Sequence, residues 1–240
     1  MRPLDFLYPP TCWLCQQPSD KRDLCINCAT KLPLVGFACQ RCGEALPQSK
    51  QSSYTCGRCS KRLPVFTQTY APLRFEDPVR SMISRFKFQR DLVAGRVLAE
   101  WFAEHLHMAY DSHSENVWPT ALIPVPLHWW RYWRRGFNQS LLIAQDVQRV
   151  LALKSVQLEV LTGGLRRIRH TPSQPGLDAV ERRRNLRNAF KASQIKLPTH
   201  VALVDDVMTT GSTVTECAKV LLDSGCERVD VWVLARAIKP

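Results

Sequence analysis

Residues 201–213, with the sequence VALVDDVMTTGST, constrain the fold of this 240-residue chain more than any other segment. Four apolar residues lead into two adjacent aspartates, Asp205 and Asp206, and two more apolar residues precede a hydroxyl-rich turn. A continuous apolar run of this kind is typical of a buried parallel strand. After the turn, apolar residues recur at helical spacing and predict an amphipathic helix. The segment therefore predicts a strand, a loop and a helix of an α/β fold.

The loop between this strand and this helix has the chemistry of a phosphate site. Backbone N–H groups at a helix start attract anions, and neighbouring hydroxyl groups can add hydrogen bonds. The predicted phosphate-binding residues are Thr209, Thr210, Gly211, Ser212 and Thr213. Asp205 and Asp206 can accept hydrogen bonds from ribose hydroxyls or face Mg2+. A helix cap explains Thr210 or Ser212 but not the acidic pair, so we predict a site for a phosphorylated sugar.

Eight of the ten cysteines form four Cys-x-x-Cys pairs within the first sixty residues. The two-residue gap lets both thiolates of a pair bind one tetrahedral zinc ion, and two pairs complete a site. We assign the pairs in sequential order, although spacing alone leaves a crossed arrangement open. The two sets are Cys12, Cys15, Cys25 and Cys28, and Cys39, Cys42, Cys56 and Cys59. Four regular pairs favour two structural Zn2+ ions over a redox motif, which occurs singly at a helix start.

Charge and hydropathy restrict the classes of partner and compartment. The formal net charge is +12, which favours polyanions such as nucleic acids and phosphates. Hydrophobic residues make up 45% of the chain and support a packed core, yet no stretch approaches the ~18 apolar residues of a membrane span. Residues 1–10 contain prolines and an aspartate where a secretory signal needs an apolar core. We therefore expect a cytoplasmic protein without a membrane span. In that reducing compartment, cysteines are expected to bind metal rather than to form disulfides.

Strand and helix patterns alternate through the rest of the chain. Strand patterns occupy residues 65–75, 121–126, 156–161 and 229–234, and helical patterns occupy 79–86, 92–107 and 137–151. This alternation predicts an α/β fold with a mostly parallel sheet flanked by helices. We expect a small double zinc ribbon at residues 1–62 and the α/β domain at residues 63–240.

Two basic segments offer further contacts for anions. Residues 128–135, HWWRYWRR, contain no acid; Arg135 and Gly136 then suit a pyrophosphate at a helix start. The arginine-rich residues 163–188, including Arg169, can close over a polyphosphate. Interleaved aromatic and basic side chains also suit stacked bases beside a phosphate track, and the predicted nucleic-acid contacts are Trp129, Trp130, Arg131, Trp133 and Arg134. Solvated basic loops and core aromatics are the alternative interpretations.

Together these motifs resemble the ComF/GntX family of competence-associated, phosphoribosyltransferase-like proteins. The matching segments are the Cys-x-x-Cys pairs, RFKFQRD at 85–91, PVPLHWWRYWRRGFNQS at 124–140, residues 167–190 and VALVDDVMTTGST. The last segment also resembles the loop of type I phosphoribosyltransferases that binds phosphoribosyl pyrophosphate (PRPP). The resemblance implies a type I phosphoribosyltransferase-like domain behind a zinc ribbon, with Mg2+ and PRPP as ligands. It further implies a role in natural transformation, the binding of single-stranded DNA, and contacts with other competence or helicase proteins.

Three functions stay open at the level of the sequence. The first is phosphoribosyl transfer, in which Asp205 and Asp206 act as catalytic carboxylates and stabilise positive charge on the ribose. The second is a binding module, in which PRPP occupies the same site and single-stranded DNA binds the aromatic segment. The third, salvage of free bases, is the weakest, because no segment indicates a dedicated base pocket. The motifs define the donor site and leave the acceptor unidentified.

Overall fold

The computed structural model describes residues 10–19, 22–47, 54–111, 117–169, 186–193 and 196–238. The helices are α1 (Ile26–Ala29), α2 (Gly57–Lys61), α3 (Val79–Gln89), α4 (Leu92–Asp111), α5 (Trp129–Arg135), α6 (Gln139–Ala152) and α7 (Ser212–Asp223). The strands are β1 (Thr69–Tyr70), β2 (Leu73–Arg74), β3 (Ala121–Pro124), β4 (Glu159–Val160), β5 (Leu165–Arg167), β6 (Phe190–Ala192), β7 (His200–Met208) and β8 (Arg228–Arg236). Within these ranges, no helix is both long and apolar enough to cross a membrane.

One parallel sheet forms the centre of the molecule. Its strands follow the order β1–β8–β7–β3–β4, and β2 also pairs with β8. The longest pair is β7 and β8, with Val201 opposite Val229 and Asp205 opposite Val233. Both strands are apolar over most of their length, because helices on both faces bury both sides of a parallel sheet. The prediction of a mostly parallel sheet flanked by helices is confirmed.

Alternate residues of β7 pack into two hydrophobic clusters, one on each face of the sheet. Ala202 and Val204 belong to a cluster that includes α3, α4 and α6. Val201 and Leu203 belong to a second cluster, which includes α7 and three cysteines of the N-terminal region. The cysteine-rich segment and the sheet therefore share one of the two cores.

The chain departs from the sequence-based expectation at two places that border the site. Residues 129–135, where no helical pattern was recognised, form helix α5, because His128 accepts a hydrogen bond from the backbone N–H of Trp130 and caps the helix. Gly136, with a φ of 87°, ends it. The strands β5 and β6 form an antiparallel pair that periodicity did not indicate. Most of the arginine-rich segment predicted to close over a polyphosphate, residues 170–185, lies outside the described residues.

Candidate ligand-binding site and metal sites

Asp205 and Asp206 lie near the carboxyl end of β7. The hydroxyl of Ser140, in the first turn of α6, donates to Asp205 Oδ1 over 2.9 Å. The backbone N–H of Asp206 donates to the same oxygen over 3.0 Å. The side chain of Asp206 is buried and forms an ion pair with Lys87 of α3. Three elements thus fix two carboxylates at the edge of the sheet where α/β folds bind ligands.

The two neighbouring carboxyl groups differ in their charge state. Burial, together with the charge of Asp206, raises the pKa of Asp205 to about 7. Burial acts in the same direction on Asp206, but the ion pair with Lys87 outweighs it and holds the pKa of that carboxyl below its usual value. Near neutral pH, Asp206 is therefore ionised and Asp205 is only partly so. A cation bound nearby would favour the ionised form of Asp205.

Basic side chains from two further elements act on this carboxylate pair. Arg131 and Arg135 extend from α5, and Arg167 extends from β5. Both aspartates attract Arg135, and Asp205 attracts Arg167. Burial lowers the pKa of all three guanidinium groups, which means that they have lost part of their hydration. With Lys87, three cations act on two carboxylates, and Arg131 adds its charge beside Arg135 and Arg167. The excess positive charge favours an anionic ligand.

The turn between β7 and α7 requires glycine at its centre. Gly211 has a φ of 78°, in the left-handed region that side chains disfavour. A Cβ atom at this position would lie 2.6 Å from Cε of Met208. The sharp turn connects the end of β7, which carries the two aspartates, to the first N–H groups of α7.

The other predicted phosphate-binding residues form a hydroxyl loop, defined as residues 209–213. The hydroxyls of Thr210 and Ser212 lie 2.8 Å apart, and Ser212 N–H donates to Thr210 Oγ1 over 3.4 Å. Thr209 is exposed and Thr213 is half-buried. Hydroxyl groups and helix N–H groups therefore meet at one end of the carboxylate pair, as an anion site requires.

The residues predicted for pyrophosphate occupy two separate places. Arg135 hydrogen-bonds to Gln139 and lies within the electrostatic reach of the carboxylate pair, and Gly136 follows it at the end of α5. Arg169 is exposed beyond the end of β5, where its Nη1 donates to the carbonyl of Arg187 over 3.3 Å. The structure thus brings Arg135 to the site, while Arg169 stands at the edge of the segment that begins at residue 170.

Helix α5 exposes all of its aromatic side chains. Between 43% and 81% of the surface of each is accessible; the four are Trp129, Trp130, Tyr132 and Trp133. They spread around the helix, as their spacing requires, and none enters either hydrophobic cluster. The guanidinium of Arg134 lies 5.7 Å from the ring centroid of Trp130, and that of Arg135 lies 5.6 Å from the ring of the exposed Phe88. Aromatic and cationic groups therefore alternate on one exposed helix beside the site.

Three residues of the site were not among those predicted. Lys87, Ser140 and Arg167 come from α3, α6 and β5, three elements that the sequence does not connect with β7. The available signal was the family resemblance, because all three lie in segments that match the family pattern. Spacing within one segment does not reveal them, since their contacts with Asp205 and Asp206 are made across the fold.

The eight ribbon cysteines form two groups in sequential order. The first site consists of Cys12, Cys15, Cys25 and Cys28, and the second site consists of Cys39, Cys42, Cys56 and Cys59. Within each group, all Sγ atoms lie within 4.8 Å of one another. Tetrahedral Zn–S bonds of about 2.3 Å place neighbouring sulfurs about 3.8 Å apart. The separations of Cys15 from Cys25, 3.7 Å, and of Cys42 from Cys56, 3.6 Å, fit that geometry, and four thiolates leave no open position for catalysis.

Comparisons with known proteins agree with these features. Residues 3–60 match a family model described as a double zinc ribbon domain. The chain is 38% identical over 220 residues to Competence protein F of Haemophilus influenzae, which covers 90% of this chain and 92% of the relative. It is 35% identical over 233 residues, 96% of this chain and 98% of the relative, to DNA utilization protein YhgH of Escherichia coli K12. Competence protein ComFC of Bacillus subtilis is 25% identical over 217 residues, 87% and 81% of the two chains.

A parallel sheet with helices on both faces, joined to two four-cysteine sites, defines a zinc-ribbon α/β protein. The extent of the similarity shows that the chain belongs to the ComF family of competence and DNA-utilization proteins. The predicted family, the double zinc ribbon and its two structural zinc sites are confirmed.

Proposed function

We propose that this protein binds PRPP with Mg2+ at the end of β7 and that it acts in DNA uptake or DNA utilisation. The observation that carries the proposal is the position of Asp205 and Asp206 at the end of β7, two residues before a hydroxyl loop at the N-terminus of α7. PRPP contains the two groups for which such a site is suited, ribose hydroxyls for the carboxylates and a 5′-phosphate for the loop. The names of the relatives support the setting, since they refer to competence and DNA utilisation.

Each part of PRPP has a complementary group in this arrangement. The carboxylates accept hydrogen bonds from the ribose hydroxyls, and the loop donates to the 5′-phosphate; its residues are Thr209, Thr210, Gly211, Ser212 and Thr213. Arg135, Gly136 and the partly buried Arg167 suit the pyrophosphate. Arg169 lies nearer the arginine-rich segment and is a further candidate for the same group. Asp205 and Asp206 are the residues that would hold Mg2+, and the ion would neutralise charge on the pyrophosphate.

The double substitution Asp205→Asn with Asp206→Asn tests the PRPP site. We expect the affinity for PRPP in the presence of Mg2+ to fall at least about 100-fold, because two charge-assisted hydrogen bonds of about 1.5–3 kcal/mol each are weakened. Isothermal titration calorimetry measures the change. Asp223→Asn, an exposed aspartate at the far end of α7, serves as the matched control and keeps wild-type affinity. Unchanged PRPP affinity in a folded double variant would refute the proposal.

We infer that α5 gives the same protein a second function, the binding of single-stranded DNA. Residues 128–135 contain four exposed aromatic rings, three arginines and no acid. Base–aromatic stacking contributes about 1–3 kcal/mol per base and tolerates any sequence, while arginines neutralise the adjacent phosphates. Helix α5 leads directly into the PRPP site through Arg135, so a bound strand would lie beside that site.

Substitution of Trp133 with alanine tests the DNA-binding surface. We expect the affinity for a single-stranded oligonucleotide to fall about tenfold, because the loss of one stacked base costs about 1–3 kcal/mol. Fluorescence anisotropy measures this affinity, which should also weaken steeply as salt rises. Tyr54→Ala removes another exposed aromatic ring, which lies in the ribbon, and is the control without an expected effect. Undetectable binding at low salt, or wild-type affinity in the Trp133→Ala variant, would contradict this function.

The alternative is a catalytically active phosphoribosyltransferase that acts on an unidentified acceptor in nucleotide metabolism. Asp205 and Asp206 would then stabilise the positive charge that develops on the ribose as pyrophosphate departs. Measurement of pyrophosphate release distinguishes phosphoribosyl transfer from PRPP binding alone. Release that depends on an added base, nucleoside or oligonucleotide, and that is lost in the Asp205→Asn variant, supports transfer. Tight PRPP binding without release under the same conditions supports a binding role.

A further inference from the structure

Arg236, the last residue of β8, connects the second zinc site with the hydroxyl loop. Its side chain is almost completely buried, with 1% of its surface accessible. Nε donates to the carbonyl of Cys42 over 3.1 Å, and Nη2 donates to Glu44 Oε2 over 2.7 Å. Nη1 donates to the carbonyl of Met208 over 2.9 Å and also to that of Thr209. One guanidinium therefore contacts the ribbon on one side and the start of the loop on the other.

The ribbon side of this contact is held by zinc coordination and by the sheet. Cys39 and Cys42 are ligands of the second site, so zinc fixes the backbone between them. Gly43, next to Cys42, packs so tightly that a Cβ there would lie 3.1 Å from Cβ of Ala71. The carbonyl that accepts from Arg236 therefore belongs to a rigid turn as long as the second zinc ion is bound. The first zinc site has no such contact with Arg236 among the described residues.

On the loop side, Arg236 helps to fix the direction of two peptide groups, and the backbone N–H of Ala237 also donates to the carbonyl of Met208 over 3.0 Å. In a planar trans peptide, the C=O and N–H groups point in opposite directions. The carbonyls of Met208 and Thr209 point to the guanidinium, so the N–H groups of Thr209 and Thr210 point away from it. A charged donor on a carbonyl also polarises its peptide and makes the N–H a stronger donor. These two N–H groups lie at the start of the loop that we assign to the 5′-phosphate.

We propose that Arg236 is a positioning residue that makes anion binding by the hydroxyl loop depend on zinc at the second site. Zinc holds the turn that contains Cys42, this turn and Glu44 hold Arg236, and Arg236 holds the first peptides of the loop. The ligand named here, PRPP, rests on the proposed function. The structural coupling between the second zinc site and the loop does not rest on it, because this coupling is measured in the protein without ligand.

The substitution Arg236→Lys tests the coupling while all zinc ligands are retained. One ammonium group cannot reach both the ribbon and both loop carbonyls, as the guanidinium fork does. We expect amide hydrogen exchange in residues 209–213 to accelerate, and PRPP affinity to fall, each by about tenfold, the effect of one lost charged hydrogen bond. Arg228→Lys is the matched control on the same strand, where the arginine pairs with Asp230. Protected amides in β3 show that the sheet stays folded.

The substitution Cys56→Ser tests the zinc end of the same chain of contacts. Cys56 is a ligand of the second site and does not bond to Arg236. Loss of one zinc ion per chain should accelerate exchange in residues 209–213 as Arg236→Lys does. Wild-type exchange of the loop in Arg236→Lys would overturn the proposal, whatever the fate of the zinc variant. If even the wild-type protein fails to bind PRPP, the proposed function is wrong, and the exchange rates still decide the coupling.

Discussion

Chelation of both zinc ions is expected to unfold the ribbon and to lower the melting temperature of the whole chain by more than about 10 °C, since about 1 kcal/mol corresponds to about 2–4 °C in a chain of this size. The described part of the ribbon has little regular structure, the two short helices α1 and α2 and isolated bridges. Its folding free energy must therefore come from metal binding, which contributes about 10–16 kcal/mol per structural site at neutral pH. The effect should extend to the sheet, because three zinc-binding cysteines share a cluster with Val231 and Val233 of β8.

Metal analysis and thermal melting measure this result together. The untreated protein should contain two zinc ions per chain, and cobalt in their place should give the absorption of tetrahedral thiolate coordination. Cys226→Ala, which removes a buried cysteine outside both sets, should retain both ions. A protein that loses both zinc ions and keeps its melting temperature would show that the ribbon does not stabilise the sheet.

The elements around the site could be predicted where the information is local. The strand β7 and the helix α7 follow from apolar runs and helical spacing in one continuous segment, and the ribbon cysteines follow from their regular pairs. Helix α5 was missed because its apolar residues do not form a stripe. The aromatic rings stay in solvent, and the helix is defined by its ends, where His128 caps it and Gly136 stops it.

The residues that complete the site could not be predicted, because their contacts depend on tertiary packing. Arg236 reaches a carbonyl 28 positions away at Met208 and another 194 positions away at Cys42. Lys87 reaches Asp206 only because the fold brings α3 to the carboxyl end of β7. Local sequence patterns do not reveal the order of strands in the sheet, and this order decides which side chains come into contact. The sequence thus revealed the two acids of the site and Arg135, whereas Lys87, which holds Asp206 ionised, appeared only in the fold.

Burial of Asp205 and the ion pair between Asp206 and Lys87 lead to opposite stability predictions for the two neighbouring aspartates. At pH 8, Asp205→Asn is expected to stabilise the ligand-free protein, and Asp206→Asn is expected to destabilise it. The pKa of Asp205 is raised from 3.8 to about 7, so the folded chain holds a proton that the unfolded chain releases. Stability therefore falls as pH rises from about 4 to about 7. At about 1.4 kcal/mol per unit, this shift costs at most about 4 kcal/mol, which a neutral asparagine recovers in part.

Asp206 has the opposite sign, because its ion pair with Lys87 lowers its pKa. Its contribution is present above the ordinary carboxyl pKa and is lost as pH falls through the lowered value. Asp206→Asn leaves a half-buried Lys87 without its carboxylate, and loss of one partner of a buried pair costs about 3–5 kcal/mol. Urea unfolding at pH 8 and at pH 5.5 measures both effects. The gain from Asp205→Asn should shrink at pH 5.5, where the wild-type carboxyl is already protonated. A gain in stability that does not depend on pH, or an equal loss of stability in both variants, would show that the two carboxyl groups do not have pKa values shifted in opposite directions.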